Sequence, residues 1–450
     1  MSVSINKVEE NKTERLKEIV NHLVQPMGKS GIGFKIWIAF LSILAIAALA
    51  MYIKQIQEGL SVTAMRDIAS WGIYISNFVF LVAVSLVGSL ITAILKLNKI
   101  KWATSLTRIS EIIAVAAVIF ALIIIVVDMG RPERLLNIFM YGRLQSPIVW
   151  DIIVVNTYLV ISLLLLYLPL IPDLALLRKY KTDVPKWQSE LYRILSLGWQ
   201  GTDEQYKILK KSINILMVLI IPVAFAIHTV TSWLFASTLR PGWDSTIFGP
   251  YFIAGAFMVG AAAVVVAMYI FRVKYNYQCY LTDYHFNMMG KLLVLTSLIY
   301  LYFNVNEFMV PFYKMKTAES SHIKGLFSGE FSMMFWMVQI LGMIIPIILL
   351  LFKKFRKPKP MMIIAVIVVI GAFFKRYLIV TPTLLHPFLP VQNYPESYHH
   401  YVPSFEEWTI TLGSIAGVLL IISVFVKIFP IIPIWEVAHE EGIDNDILNK

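Results

Sequence analysis

Four ionisable side chains stand within or at the ends of long apolar runs, where charge is expensive: Asp128, Asp151, His228 and Arg376. Asp128 opens the stretch Asp128-Met-Gly-Arg131-Pro132, and Asp151 closes Ser146-Pro-Ile-Val-Trp-Asp151. His228 begins His228-Thr-Val-Thr-Ser-Trp233, and Arg376 follows Lys375 late in the ninth apolar run. An ionisable group at membrane depth costs roughly 2.5–3.5 kcal/mol on insertion scales, so such groups face a protein interior or do chemistry. Carboxylates, an imidazole and a guanidinium together suit a small apolar substrate that gains or loses protons. His and Asp exchange protons near neutral pH when their surroundings tune them, and Arg holds a carbonyl or a carboxylate.

The elements that must position these groups are membrane helices. Of 450 residues, 58% are hydrophobic and 15% charged, against about 25% charged in a soluble protein. Ten apolar segments approach or exceed the ~20 residues that a bilayer core requires: 34–53, 69–95, 111–127, 147–171, 213–236, 249–271, 287–305, 331–352, 361–380 and 405–429. The expected fold is all-α and polytopic, with a cytoplasmic N-terminal segment over 1–33, a transmembrane domain over 34–430 and a cytoplasmic tail over 431–450. Lys and Arg concentrate in the N-terminal segment, the even-numbered loops and the tail, which predicts both termini on the cytoplasmic side of the inner membrane. The runs Arg178-Lys-Tyr-Lys181 and Lys353-Lys-Phe-Arg-Lys357 mark that side and account for much of the net charge of +11, so no nucleic-acid partner is needed to explain it. The first apolar run begins at Phe34 without a small-residue cleavage site, and is expected to act as the insertion signal. Before it, Leu16, Ile19, Val20, Leu23 and Val24 recur at helical spacing and predict a helix on the inner surface.

Counting 1.5 Å per residue from the span ends, Asp128, Asp151, His228 and Arg376 all fall in the outer half, at depths of about 5 to 12 Å. Each also has a plainer reading. Asp128 and Arg131 form a helix-end ion pair, Asp151 gains from its helix N-terminus, and His228 hydrogen-bonds a neighbouring helix. Arg376 needs a facing carboxylate, whereas Lys375 snorkels outward. Lys291 reads as a snorkelling residue and Glu111 as an inner-interface one. Trp71, Trp150, Trp233 and Trp243 lie near outer span ends as belt residues, and Trp233 is also a candidate for the pocket wall.

Cofactor chemistry narrows quickly. Cys279 is the only thiol, so the chain by itself holds neither an iron–sulfur cluster nor a disulfide. His228 is the only histidine well inside a span, so a transmembrane bis-His haem is not expected, nor a resident metal. Any redox centre belongs on another subunit. A quinone fits the polar cluster: its ring and tail partition into the bilayer, its carbonyl oxygens accept hydrogen bonds, and oxidation of the quinol requires bases for two protons.

Six stretches now resemble one family in order and spacing: Trp71-Gly-Ile-Tyr-Ile-Ser-Asn77, Asp128-Met-Gly-Arg-Pro132, Ser146-Pro-Ile-Val-Trp-Asp151, Leu170-Ile-Pro-Asp173, His228-Thr-Val-Thr-Ser-Trp233 and Arg240-Pro-Gly-Trp-Asp-Ser-Thr-Ile-Phe-Gly-Pro-Tyr-Phe252. They resemble the NrfD/PsrC family of quinone-interacting membrane subunits. Lys375-Arg-Tyr-Leu-Ile-Val-Thr-Pro-Thr383 and Ile432-Pro-Ile-Trp-Glu436 extend the resemblance, particularly to the ten-span members of alternative complex III and related menaquinol:cytochrome c oxidoreductases. The resemblance implies two four-helix bundles with flanking helices, no haem, and a quinone or menaquinone pocket near the outer face. It also implies electron transfer to an iron–sulfur subunit on that face, and thence to a cytochrome c or molybdopterin subunit. Asp151, His228 and Asp128 are the expected catalytic groups, and Arg376, Arg131 and Trp233 the expected quinone contacts. Some members are proposed to translocate protons, for which Asn77, Glu111, Asn156 and Lys291 are the candidates here.

One departure stands out: many quinol-oxidising members carry His-Ala-Gly in the second span, where this chain has Ser85-Leu86-Val87. A site with other ligands, or a paralogous subunit kept for structure or proton movement, would account for it. The ninth loop, 381–404, gathers Pro382, Pro387, Pro390, Tyr394, Tyr398, His399, His400 and Tyr401 without a Lys or Arg, and is either a docking surface or plain surface. Two rival functions remain at this stage. A secondary transporter would use helix interruptions at Pro222, Gly255 and Gly260, and a structural anchor would hold a redox subunit without touching quinone.

Overall fold

The structure, a computed structural model, describes residues 2–28, 30–180, 184–388, 393, 395–443 and 448, and within these leaves aside the side chains of 2–10 and 87–89. Among the described residues ten helices are long and apolar enough to cross a membrane, and the chain is a multi-pass integral membrane protein. A surface helix α1 (Ser2–Val24) precedes the first span α2 (Ile32–Glu58), followed by α3 (Ile73–Leu97) and α4 (Thr104–Asp128). A short α5 (Asn137–Tyr141) leads to α6 (Pro147–Tyr167), which is continued after a break by α7 (Leu170–Tyr180). The amphipathic α8 (Lys186–Leu195) precedes α9 (Asp203–Ala236), α10 (Phe248–Lys274) and α11 (Asp283–Lys314). After α12 (Thr317–Phe327), the eighth span consists of α13 (Ser332–Gln339), a π-helical turn and α14 (Ile345–Leu351). The last spans are α15 (Pro358–Leu384) and α16 (Phe405–Ile428), and α17 (Ile434–Glu440) closes the fold.

Helix ends follow local chemistry more than apolar content. Thr202 and Gln205 form a capping box that starts α9 well before its apolar run begins at 213, and Ser404 with Glu407 does the same for α16. Pro147 and Pro358 occupy the first turns of α6 and α15, where the missing N–H costs nothing. The early start of α4 corrects one expectation: Glu111 is a buried residue two turns inside the helix, not an interface residue. Pro222 and Gly255 leave α9 and α10 continuous, so the interruptions expected of a transporter are not present at those positions.

The second to fifth spans (α3, α4, α6, α9) pack as one four-helix bundle, and the sixth to ninth (α10, α11, α13–α14, α15) as another. Helices α10 and α15 of the second bundle lie against α3 of the first, and α2 pairs with α16 on the flank. Small residues permit the close approaches, as is usual where no hydrophobic drive operates between membrane helices. Gly413 of α16 meets Ala48 of α2, and Gly342 faces Gly371 of α15 so closely that a Cβ on Gly371 would lie 2.7 Å from the Gly342 Cα.

The termini share one face, where Arg15 of α1 pairs with Glu441 at 2.7 Å. As expected of a surface helix, α1 buries Leu16, Ile19, Val20 and Leu23, and it packs against α7 and α17. Beneath it, Arg108 of α4 and Asp173 of α7 form a fully buried ion pair of 2.7 Å. The Asp173 carboxylate also accepts the backbone N–H groups of Ile434 (3.1 Å) and Trp435 (2.9 Å), and Arg108 donates to the carbonyls of Pro430 and Pro169. The motifs Leu170-Ile-Pro-Asp173 and Ile432-Pro-Ile-Trp-Glu436 thus meet as one clasp, so the segment after 430 is packed into the fold. Lys96 reinforces it by pairing with Glu436 at 2.7 Å.

Candidate functional site

Asp151 sits one turn into α6, where Pro147 has set the helix start, and it points inward with 2% of its surface exposed. Thr231 of α9 donates its hydroxyl to Asp151 Oδ1 at 2.6 Å. His228 precedes Thr231 by three residues, so the two share a face of α9, together with buried Ser232 and Phe235. The His228 ring is buried and its Nε2 has no hydrogen-bond partner. The Arg376 charge acts on it electrostatically. Arg376 reaches across from α15: its guanidinium lies 4.7 Å from the centroid of the Phe252 ring on α10, and its Nη1 also has no partner. Gly255 makes the room, since a Cβ there would come within 2.6 Å of Arg376 Nη2 and 2.8 Å of the Tyr300 ring. Asp151, Thr231 and His228, on α6 and α9, and Arg376, over Phe252 of α10, thus stand on either side of the contact between the two bundles as a polar seam.

The other candidates lie elsewhere. Asp128 ends α4 within electrostatic reach of Glu407, and its Oδ1 is buried without a partner. It belongs to a second polar group, in which Tyr74 donates to Gln55 (2.8 Å) and Gln55 donates to the carbonyl of Val127 (2.8 Å). The expected Asp128–Arg131 ion pair does not form, because Gly130 adopts a left-handed φ of +67° and turns the chain so that Arg131 is exposed. A side chain at Gly130 would also meet Leu60 at 2.8 Å. Trp233 is 45% exposed and packs edge-on to Trp150, on the outside of α9 and away from the seam. Trp243, expected at the interface, is fully buried and donates its indole N–H to the carbonyl of Ile379 at 2.7 Å.

The charges of Lys375 and Arg376 are arranged opposite to expectation. Lys375 does not snorkel; it is buried and pairs with Glu307 of α11 at 3.4 Å, with Phe308 and Tyr251 rings beside its ammonium. Arg376 is the one without a carboxylate among the described ion pairs. A hydrogen-bonded group continues from there, in which Tyr300 donates to the Tyr251 hydroxyl, Tyr251 donates to Asn304, and Asn304 donates to Gln339. Of the candidates for proton movement, Lys291 and Asn156 are exposed, Asn77 donates to Ser414 at 2.8 Å, and Glu111 is buried with a free Oε2. Ser85 donates its hydroxyl to the Val82 carbonyl (2.7 Å), and the Val87 side chain lies outside the described residues.

Sequence reasoning missed Glu407. It is fully buried, accepts the Tyr401 hydroxyl at 2.6 Å and the N–H groups of Ala64 and Ser404 at 2.8 Å, and so ties three segments together at the face opposite the termini. The capping spacing Ser404 to Glu407 was the signal available. Tyr401, expected on a surface loop, is buried by this contact, and that loop begins only at Leu385 because α15 runs to Leu384. Pro390 and Tyr394 lie outside the described residues.

Two bundles of apolar helices around interior charged side chains define a polytopic membrane protein. Residues 61–387 match the family described as polysulphide reductase, NrfD, and the chain belongs to that family. It is similar to a selenate reductase subunit of Mesobacillus selenatarsenatis, with 24% identity over 90% of this chain and 96% of the relative. It is also similar to a putative dimethyl sulfoxide reductase membrane subunit of Halobacterium salinarum, with 27% identity over 75% of each chain. A third relative is the Hdr-like menaquinol oxidoreductase integral membrane subunit of Archaeoglobus fulgidus, with 22% identity over 89% of this chain and 94% of the relative.

Proposed function

We propose that this chain is the membrane subunit of a respiratory oxidoreductase complex, and that the seam of Asp151, His228 and Arg376 binds a quinone. The observation that carries the reading is the pair of buried, unpartnered nitrogens, His228 Nε2 and Arg376 Nη1, on opposite sides of the bundle junction. Leaving such groups unsatisfied costs roughly 1–3 kcal/mol each, more for a charge; a quinol hydroxyl can donate to His228 Nε2, and a quinol or quinone oxygen can accept from Arg376 Nη1. Phe252 offers the ring a flat apolar neighbour.

In this reading menaquinol is the donor. It gives up two electrons and two protons; His228 and Asp151 receive the protons, and Arg376 steadies the oxygen as negative charge develops on it. The electrons leave through an iron–sulfur subunit docked on the face opposite the termini, and from there reach a cytochrome c or molybdopterin subunit. The relatives support this reading: one is described as a menaquinol oxidoreductase subunit and the other two as subunits of a selenate reductase and of a putative dimethyl sulfoxide reductase. The basic loops support placement in the cytoplasmic membrane with both termini inside.

The test is Asp151→Asn in the assembled complex. Quinol-dependent turnover should fall to background, while turnover from an artificial donor to the partner subunits is kept. Unchanged quinol-dependent turnover would overturn the assignment.

A further inference from the structure

An apolar groove of about 900 Å³ separates the flanking pair α2 and α16 from α10 and α15. Its volume is in the upper range of ligand pockets. Its deep end is formed by Phe80 of α3, Ile113 of α4 and Ala263 of α10, with no ionisable side chain among them. Its mouth opens on the face that carries the termini, where Lys274, Lys427, Gln25 and Asn276 line it. From Ala263 to Lys274 the α10 wall rises about 16 Å at 1.5 Å per residue. That is close to half of a ~30 Å hydrocarbon core, the depth of one leaflet.

The charges at the mouth are one-sided: the described lining residues include two lysines and no Asp or Glu. Lys274 is exposed and makes no ion pair among the described residues. Lys427 donates to the Pro26 carbonyl at 2.7 Å and lies 4.7 Å from the Phe34 ring centroid, which fixes its ammonium at the rim while leaving donors for a further acceptor. A quinone headgroup would need its polar partners at the deep end, where the described lining residues offer none. We propose that the groove binds an anionic phospholipid of the leaflet on the side of the termini, its acyl chains between α10 and α16 and its phosphate held by Lys274 and Lys427. Basic pockets between membrane helices recognise anionic headgroups in this way.

The test uses the full chain in the complex with which it purifies. After detergent delipidation, the sample is offered dioleoylphosphatidylglycerol and dioleoylphosphatidylcholine in equal amounts, and retained lipid is counted by native mass spectrometry. The wild type should retain the anionic lipid at least fivefold over the zwitterionic one, Lys274→Glu should bring the ratio near one, and Ala267→Trp, which fills the groove, should remove both. Should the Trp variant fail to assemble, Lys274→Glu decides alone, since its exposed side chain supports no packing. A ratio unaffected by Lys274→Glu, or lipid retention unaffected by Ala267→Trp, overturns the proposal. So does recovery of menaquinone or a partner helix in the groove in place of phospholipid.

Discussion

Arg376 rests its charge against the face of Phe252 while one terminal nitrogen has nothing to donate to. A cation–π contact supplies roughly 0.5–2 kcal/mol, less than the several kcal/mol that burying an ion costs, so the arrangement calls for an acceptor at that nitrogen. Arg376→Lys keeps the charge but loses the planar fork; quinol-dependent turnover should drop about tenfold to a hundredfold, the range expected for a charged hydrogen bond of ~1.5–3 kcal/mol, with the complex still assembled. Gly255→Ala should have a related effect, because its Cβ would come within 2.6 Å of the guanidinium. Steady-state kinetics would read this as a raised KM for quinol. By contrast, Trp233→Ala and Arg131→Ala alter exposed side chains and should leave turnover within about threefold, a result that would separate the seam from its surroundings. The chemical character of Asp151, His228 and Arg376 was legible as charge in apolar sequence. The roles of Thr231, Phe252 and Gly255 were not, since each acts on a partner from another helix.

At the scale of elements, the Arg108–Asp173 pair joins α4 to α7 and reaches the chain after α16 through the backbone of Ile434 and Trp435. Removing one member of a buried pair leaves an uncompensated charge and costs about 3–5 kcal/mol. Asp173→Ala should therefore lower the thermal midpoint in detergent strongly and release the C-terminal segment to proteolysis, whereas Glu441→Ala, which breaks an exposed pair with Arg15, should do neither. An Asp173→Ala variant as stable as the wild type would refute the clasp. Both motifs were visible in the sequence, but their meeting was not: residues 173 and 434 are 261 positions apart, and no local spacing encodes such a contact. The same holds for Lys375, whose partner Glu307 lies on another helix and turns a residue expected to snorkel into a buried one.

For the whole molecule, the two-bundle plan came from the family resemblance, whereas the number of spans was legible because apolar length and order survive in any packing. Helix ends were less so, since capping boxes such as Thr202 with Gln205 extend helices beyond the apolar stretch. Orientation rests on the basic loops, and Cys279 offers a clean test of it. It is the only cysteine, it is exposed, and it lies on the face of the termini beside His22. A membrane-impermeant maleimide should label inverted vesicles and leave intact cells unlabelled; labelling of intact cells would reverse the topology and place the seam nearer the cytoplasm.

The central claim, a quinone held between His228 and Arg376, is met most directly by photolabelling the assembled complex with an azido-menaquinone and mapping the modified peptides. The account predicts label on α9, α10 and α15 around His228, Phe252 and Arg376, displaced by excess menaquinone and strongly reduced in Arg376→Lys. Displaceable label confined to other helices, or label at the seam that excess menaquinone does not displace, would contradict it.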